Sequence, residues 1–113
     1  MNKKFTFRGM DHSKVLEDHA NKQLAKIEHF LANDKTPQQL DLVLQPAKTH
    51  AHHHVELRIT TPTYHVISSH EGPEFYQVLD HVIDVAYRQL LDQKEKKIDE
   101  RKADGRPEEF KKF

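Results

Sequence analysis

Four histidines occupy five consecutive positions in the stretch THAHHHVELRIT, residues 49–60. Imidazole can ligate a transition metal, exchange a proton near neutral pH, or lie against phosphate once protonated. Each use demands its own geometry. A zinc site needs three or four donors converging at about 2.0–2.1 Å from the ion. The spacing here alternates instead. His50, His52 and His54 share one side of an extended chain with Glu56, Arg58 and Thr60; Ala51, His53, Val55, Leu57 and Ile59 share the other. Same-side neighbours in a strand lie about 6.6–7 Å apart. Two imidazoles therefore supply part of a metal site, and Glu56 or His65 on a neighbouring strand would have to complete it. No H-E-x-x-H is present. The cluster is internal and in phase with its strand, so it is not an appended tag. The reading adopted is a polar strand face, solvated or turned toward a polyanion, that gains charge near pH 6 and holds no resident metal.

Catalytic chemistry finds little support. The chain has no cysteine and only three glycines, which excludes zinc–thiolate sites, thiol nucleophiles and a glycine-rich phosphate loop. Ser13, Ser68 and Ser69 lie outside any G-x-S-x-G elbow. Asp80 and His81 are adjacent on a predicted helix, so their side chains diverge. No enzyme activity and no cofactor are expected. The cations are more suggestive. Lys22, Lys26 and His29 follow each other at helical spacings opposite an apolar stripe, as a basic ridge would. On the second helix the outward positions Gln77, His81, Asp84, Arg88, Asp92, Glu95 and Asp99 are mostly acidic, with Arg88 the one strong cation. Basic residues crowd its end, among them Lys94, Lys96 and Lys97. Tyr64, Phe110 and Phe113 could stack on bases, although packing for Tyr64 and a frayed tail for the phenylalanines are the simpler account and the one preferred.

The elements that position these residues follow from periodicity. KFTFR alternates as a half-buried strand, and Gly9 permits the turn after it. Ser13 can cap a helix whose stripe is Leu16, Ala20, Leu24, Ile27 and Leu31. LDLVLQ alternates through Leu40, Leu42 and Leu44, and the histidine stretch and YHVISSH form a hairpin about TPT, residues 61–63. Pro73 suits the first turn of a second helix with Tyr76, Leu79, Val82, Ile83, Ala86, Tyr87, Leu90 and Ile98 on its stripe. The order is β-α-β-β-β-α, an α+β fold. It predicts a four-stranded mixed sheet with two helices packed on one face and the other face open. Residues 1–104 read as a single domain and 105–113 as a short charged tail.

Composition narrows the partners. Eighteen basic and eighteen acidic side chains give a formal charge of zero, so nucleic-acid binding must rest on a local patch. MNKKFTFRGM has no long apolar run, and no stretch reaches the ~20 apolar residues that cross a bilayer. Neither a membrane nor DNA is expected as partner, and the absence of cysteine suits a reducing cytoplasm.

The segment SSHEGPEFYQVLDHVIDVAYRQL resembles the ribosome hibernation factors, that is, the ribosome-associated inhibitor and hibernation-promoting factor family with its sigma-54 modulation protein-like short forms. The residues that carry the likeness are Glu71, Gly72, Glu74, Tyr76, Ile83, Asp84, Arg88, Gln89 and Leu90, with Lys26 and Glu28 of LAKIEHFL on the first helix. The similarity runs from about Phe5 to Lys97. It implies a cytoplasmic translation inhibitor that binds rRNA of the small ribosomal subunit in the mRNA–tRNA channel and silences idle ribosomes under stress or in stationary phase. A short form lacks the C-terminal dimerisation domain, so a monomer is expected off the ribosome. Lys26 and Arg88 match the family's basic positions, whereas Gln23, Val85 and Asp92 stand where members often carry a basic residue. The candidate RNA-binding set is Arg8, Lys22, Lys26, His29, Arg88, Lys94 and Lys97. The alternatives are a general double-stranded-RNA binder, a histidine-rich metal-binding small protein, and an interaction module built on the acidic second helix.

Overall fold

The computed structural model describes residues 1–46 and 52–104, with side chains through residue 98. Its elements are β1 (Asn2–Phe7), α1 (Lys14–Phe30), β2 (Gln39–Gln45), β3 (His53–Thr60), β4 (His65–Gly72) and α2 (Phe75–Asp104). The predicted β-α-β-β-β-α order holds. The strands lie side by side in chain order, β1 parallel to β2 and the rest antiparallel, which makes the sheet mixed.

Register explains which side chains are covered. Phe5, Leu42, Leu57 and Ser68 stand in one row across the sheet, and Phe7, Leu44, Val55 and His70 in the next such row. Side chains of one parity face the helices; the other parity faces outward. Leu40, Leu42, Leu44, Val55, Leu57 and Ile59 are all essentially inaccessible to solvent and join Leu16, Ala20, Leu24, Ile27 and Leu31 of α1 and Val78, Leu79, Val82, Ile83, Ala86 and Leu90 of α2 in one core. Both helices thus share one face. The α2 stripe includes Val78, while Tyr76 stays 38% exposed.

Local chemistry sets the boundaries. Gly9 has φ of 71° in the turn after β1, where a side chain would be strained. Ser13 Oγ accepts the Leu16 amide at 3.3 Å and caps α1. Pro73 sits just outside α2 rather than in its first turn. Glu74 caps that helix, its Oε1 accepting the Tyr76 amide at 2.9 Å and its carbonyl the Val78 amide. Gly72 closes β4 against this turn, and a Cβ there would stand 2.9 Å from Val78 Cγ2. The buried hydroxyl of Ser68 donates to the Val82 carbonyl at 2.9 Å. No buried side-chain nitrogen or oxygen among the described residues lacks a partner.

Each helix is tied down on its outer flank. α1 lies toward β1, where Lys3 Nζ reaches Asn21 Oδ1 at 2.8 Å and Glu28 at 3.3 Å. α2 lies over β3 and β4, and Gln89 and Gln93 donate to the carbonyls of Ile67 and His65 at 3.1 and 2.9 Å.

Candidate nucleic-acid interface

The seven candidate RNA-binding residues fall on two surfaces. Arg8 lies on the open sheet face, beside a shallow depression of about 280 Å³ lined by Lys4, Thr6, Arg8, Asp41, Val43, Glu56 and Arg58. Charge there alternates, and Arg58 is already engaged by Glu56 at 2.9 Å. The other six belong to the helix layer. Lys22, His29, Arg88, Lys94 and Lys97 are exposed, and Lys26 is half-buried.

Lys26 departs from the predicted ridge. It turns toward α2, where its Nζ is ion-paired with Asp84 and lies 5.3 Å from the centre of the Tyr87 ring. About two turns earlier on α1, His19 Nε2 meets Asp80 Oδ1 at 2.7 Å and its ring packs edge-on against Tyr76. Asp80 and Asp84, four residues apart, therefore receive His19 and Lys26, seven apart, along the seam between the helices. This seam absorbs part of the acidic face of α2 and one of the two cations at family-matching positions. Of the positions where basic residues were missed, Asp92 is exposed, and Gln23 and Val85 are half-buried.

Beyond Lys26 the seam becomes aromatic. Phe30 packs against Tyr64 at 5.6 Å between centroids and edge-on against Tyr87 at 6.1 Å. Lys94 Nζ lies 5.5 Å from the centre of the Phe30 ring. Phe30, Asn33, Asp34, Tyr64 and Lys94 line an open cleft of about 180 Å³. Asp34 forms its floor. Burial alone would raise its carboxyl; hydrogen bonds from the Thr63 hydroxyl, the Lys35 amide and the Thr61 hydroxyl, with the Lys35 charge, outweigh that and hold it below the usual carboxylate range. A depressed carboxyl of this kind stabilises the fold above its unfolded pKa and loses that contribution as pH falls through the folded value, so the loop staple operates at every pH near neutral.

The histidine face does not converge. His54 lies 4.0 Å from Glu71, and His52 is exposed. His53 is on the helix side, stacked on Phe75 at 4.6 Å, and His70 packs on His81 at 4.3 Å. His65 pairs with Thr60, at the opposite end of the hairpin from His54, so the two cannot share a metal ion. Among the described residues no group of three histidines or acids could hold one. His50, Phe110, Phe113 and the tail 105–113 lie outside the described residues. No helix among the described residues is long and apolar enough to cross a membrane.

The sequence profile of the Sigma 54 modulation protein / S30EA ribosomal protein family matches residues 4–98. The chain belongs to that family. The match takes in all but the first two residues of β1 and nearly the whole of α2 before its last turns. Two solved structures have the same fold: a Thermus thermophilus Protein Y N-terminal domain, with 21% identity over 74% of this chain and 89% of that one (TM-score 0.61), and a ribosomal subunit interface protein from Coxiella burnetii, with 18% identity over 83% of this chain and 98% of that one (TM-score 0.67). No curated protein sequence matches the chain. In this S30EA-family chain, sequence reasoning missed the two seam pairs and the aromatic row. The available signal was the coincidence of acids four apart on one helix with cations seven apart on the other.

Proposed function

We propose that this protein binds the small ribosomal subunit, against rRNA in the channel used by mRNA and tRNA, and silences idle ribosomes under stress or in stationary phase. The observation that carries the reading is family membership across residues 4–98, which spans both helices and all four strands. The chain acts as a cytoplasmic monomer and performs no chemistry. Inhibition is occlusion: a helix-on-sheet wedge fills an RNA-lined cleft, with Lys22 and Arg88 exposed on the helix layer to meet phosphates and Lys26 beside them. Shape and backbone charge suffice to recognise folded RNA. The scarcity of strong cations predicts weaker and less salt-sensitive binding than a lysine-rich relative would show.

The test is co-sedimentation with small subunits across a salt titration. The Lys22→Ala, Lys26→Ala, Arg88→Ala variant should melt within a few degrees of the parent, because substitutions at the exposed Lys22 and Arg88 cost about 0.5 kcal/mol or less and the half-exposed Lys26–Asp84 pair contributes about 0–1 kcal/mol. It should leave the subunit at moderate salt, with the log–log slope reduced by roughly one unit per lost phosphate contact, by analogy with duplex DNA. Binding equal to the parent at every salt concentration would remove the helix layer as the site. A parent without affinity for small subunits, but with affinity for naked duplex RNA, would favour the general RNA binder.

A further inference from the structure

The cleft between the end of α1, the α1–β2 loop and the β3–β4 turn has a composition that packing alone does not require. A row of three rings, Tyr64, Phe30 and Tyr87, carries two lysines, Lys94 over the central Phe30 and Lys26 over Tyr87 at one end. Phe30 and Tyr64 are only half-buried although they adjoin a closed core. Aromatic faces interleaved with cations are what a single-stranded nucleotide needs: the base stacks and its phosphate meets the ammonium group. The floor adds hydrogen-bonding groups. Asp34 Oδ2 accepts from Thr61 Oγ1 at 2.9 Å and Oδ1 from Thr63 Oγ1 at 2.7 Å. The Lys35 amide is a third donor to this carboxylate, so of its roughly four lone-pair positions one stays open. An ionised carboxylate offers no donor. It therefore suits a base edge whose N–H is not hemmed between two carbonyls.

We propose that this cleft takes an unpaired nucleobase, with guanine the best fit, stacked on Phe30 with its edge toward the tilted ring of Tyr64, donating to Asp34 and placing its phosphate at Lys94. Guanine presents an N1–H beside its N2 amino group, whereas uracil presents a single N–H between two carbonyls that would face the carboxylate unfavourably. The assignment rests on the ribosomal reading above and adds a base contact to a surface otherwise described by phosphate contacts alone. Lys94 would move from the Phe30 ring to the phosphate as the base enters, exchanging one cation–π contact for an ion pair.

The experiment compares the parent, Phe30→Leu and Phe30→Tyr in small-subunit binding across a salt titration, after thermal melts have matched their folded populations. Phe30→Leu, which keeps an apolar side chain but loses the ring, should weaken binding roughly tenfold, within the range of one lost base stack. Its salt slope should be unchanged, because no phosphate contact is removed; loss of a lysine contact would lower the slope instead. Phe30→Tyr should bind like the parent. Phe30→Leu binding as tightly as the parent overturns the proposal. Should the parent itself not bind small subunits, the ribosomal reading fails first, and the cleft is judged separately by amide chemical shifts of the free protein titrated with GMP, UMP and inorganic phosphate. Shifts at Phe30, Asn33, Asp34 and Tyr64 that are larger with GMP than with UMP, and absent with phosphate, support it. Equal shifts with phosphate, or none with GMP, overturn it.

Discussion

Lys26 is the residue where sequence and structure give different pictures of the same surface. Its spacing from Lys22 and His29 reads as an outward ridge, yet its ammonium group is held by Asp84 across the helix seam. A one-dimensional pattern fixes the angle of a side chain about its own helix axis; it carries no information on which acid a second helix brings alongside. The pairing makes Asp84 an internal rival to any phosphate that Lys26 would meet. An ion pair this exposed contributes about 0–1 kcal/mol to folding, so Asp84→Asn should leave the melting temperature within a few degrees of the parent. It should tighten small-subunit binding several-fold, since Lys26 no longer has to leave a carboxylate and one anion facing rRNA is gone. A double-mutant cycle separates these contributions. If Asp84→Asn gives the same gain in a Lys26→Ala background, Lys26 is not the hand that Asp84 restrains. The histidines illustrate the converse. Alternation correctly put His53 and His54 on opposite sides of β3, but the stacking of His53 on Phe75 and of His70 on His81 depended on helix placement that no strand pattern contains.

At the level of elements, every strand and both helices were legible, because leucines two apart and an apolar stripe three and four apart are direct prints of strand and helix geometry. The ends were less so: Glu74 rather than Pro73 opens α2, since a carboxylate can satisfy an orphan amide that proline only avoids having. The edge of the sheet was not legible at all. β4 ends the sheet on one side, and the outward carbonyls of His65 and Ile67 would be open to another strand. Gln93 and Gln89 occupy them. The fit is one of pitch: four helical residues advance about 6.0 Å and two strand residues about 6.6–7 Å, so glutamines at i and i+4 meet carbonyls at i and i+2. Replacing both by alanine should cost about 1–3 kcal/mol in total, at a net 0.5–1.5 kcal/mol per hydrogen bond. It should also expose the edge, so that sedimentation velocity shows concentration-dependent association absent from the parent. A double variant that stays monomeric at high concentration would show that the glutamines are not what protects β4.

The whole molecule is a sheet half-covered by helices of very unequal length. α1 has 17 residues and α2 has 30, about 25 and 45 Å respectively. Among the described side chains of α2 the last inaccessible one is Leu90, so the turns from there to residue 98 run on past the core. Composition announced this, with lysines and acids replacing leucines after Leu91, though a long periodic stretch alone would have suggested a fully packed helix. In hydrogen exchange, amides of residues 78–90 should be protected to the level of global unfolding, and those of 92–98 should exchange orders of magnitude faster. Equal protection in both stretches would mean that the later turns are held by something other than the core. The overhang has a thermodynamic meaning for the proposed partner. An isolated helix of this length is marginal in water, so these turns, helical to Asp104, are weakly held in the free protein and would be further ordered by a partner. Calorimetry would record that as a binding enthalpy more negative than the buried area suggests, offset by entropy. Truncating the chain after Lys94 would shrink both while leaving Gln93 on the edge of β4. Helicity so weakly held would trade affinity for reversibility, and the proposed role, in which idle subunits are later released, has use for that exchange.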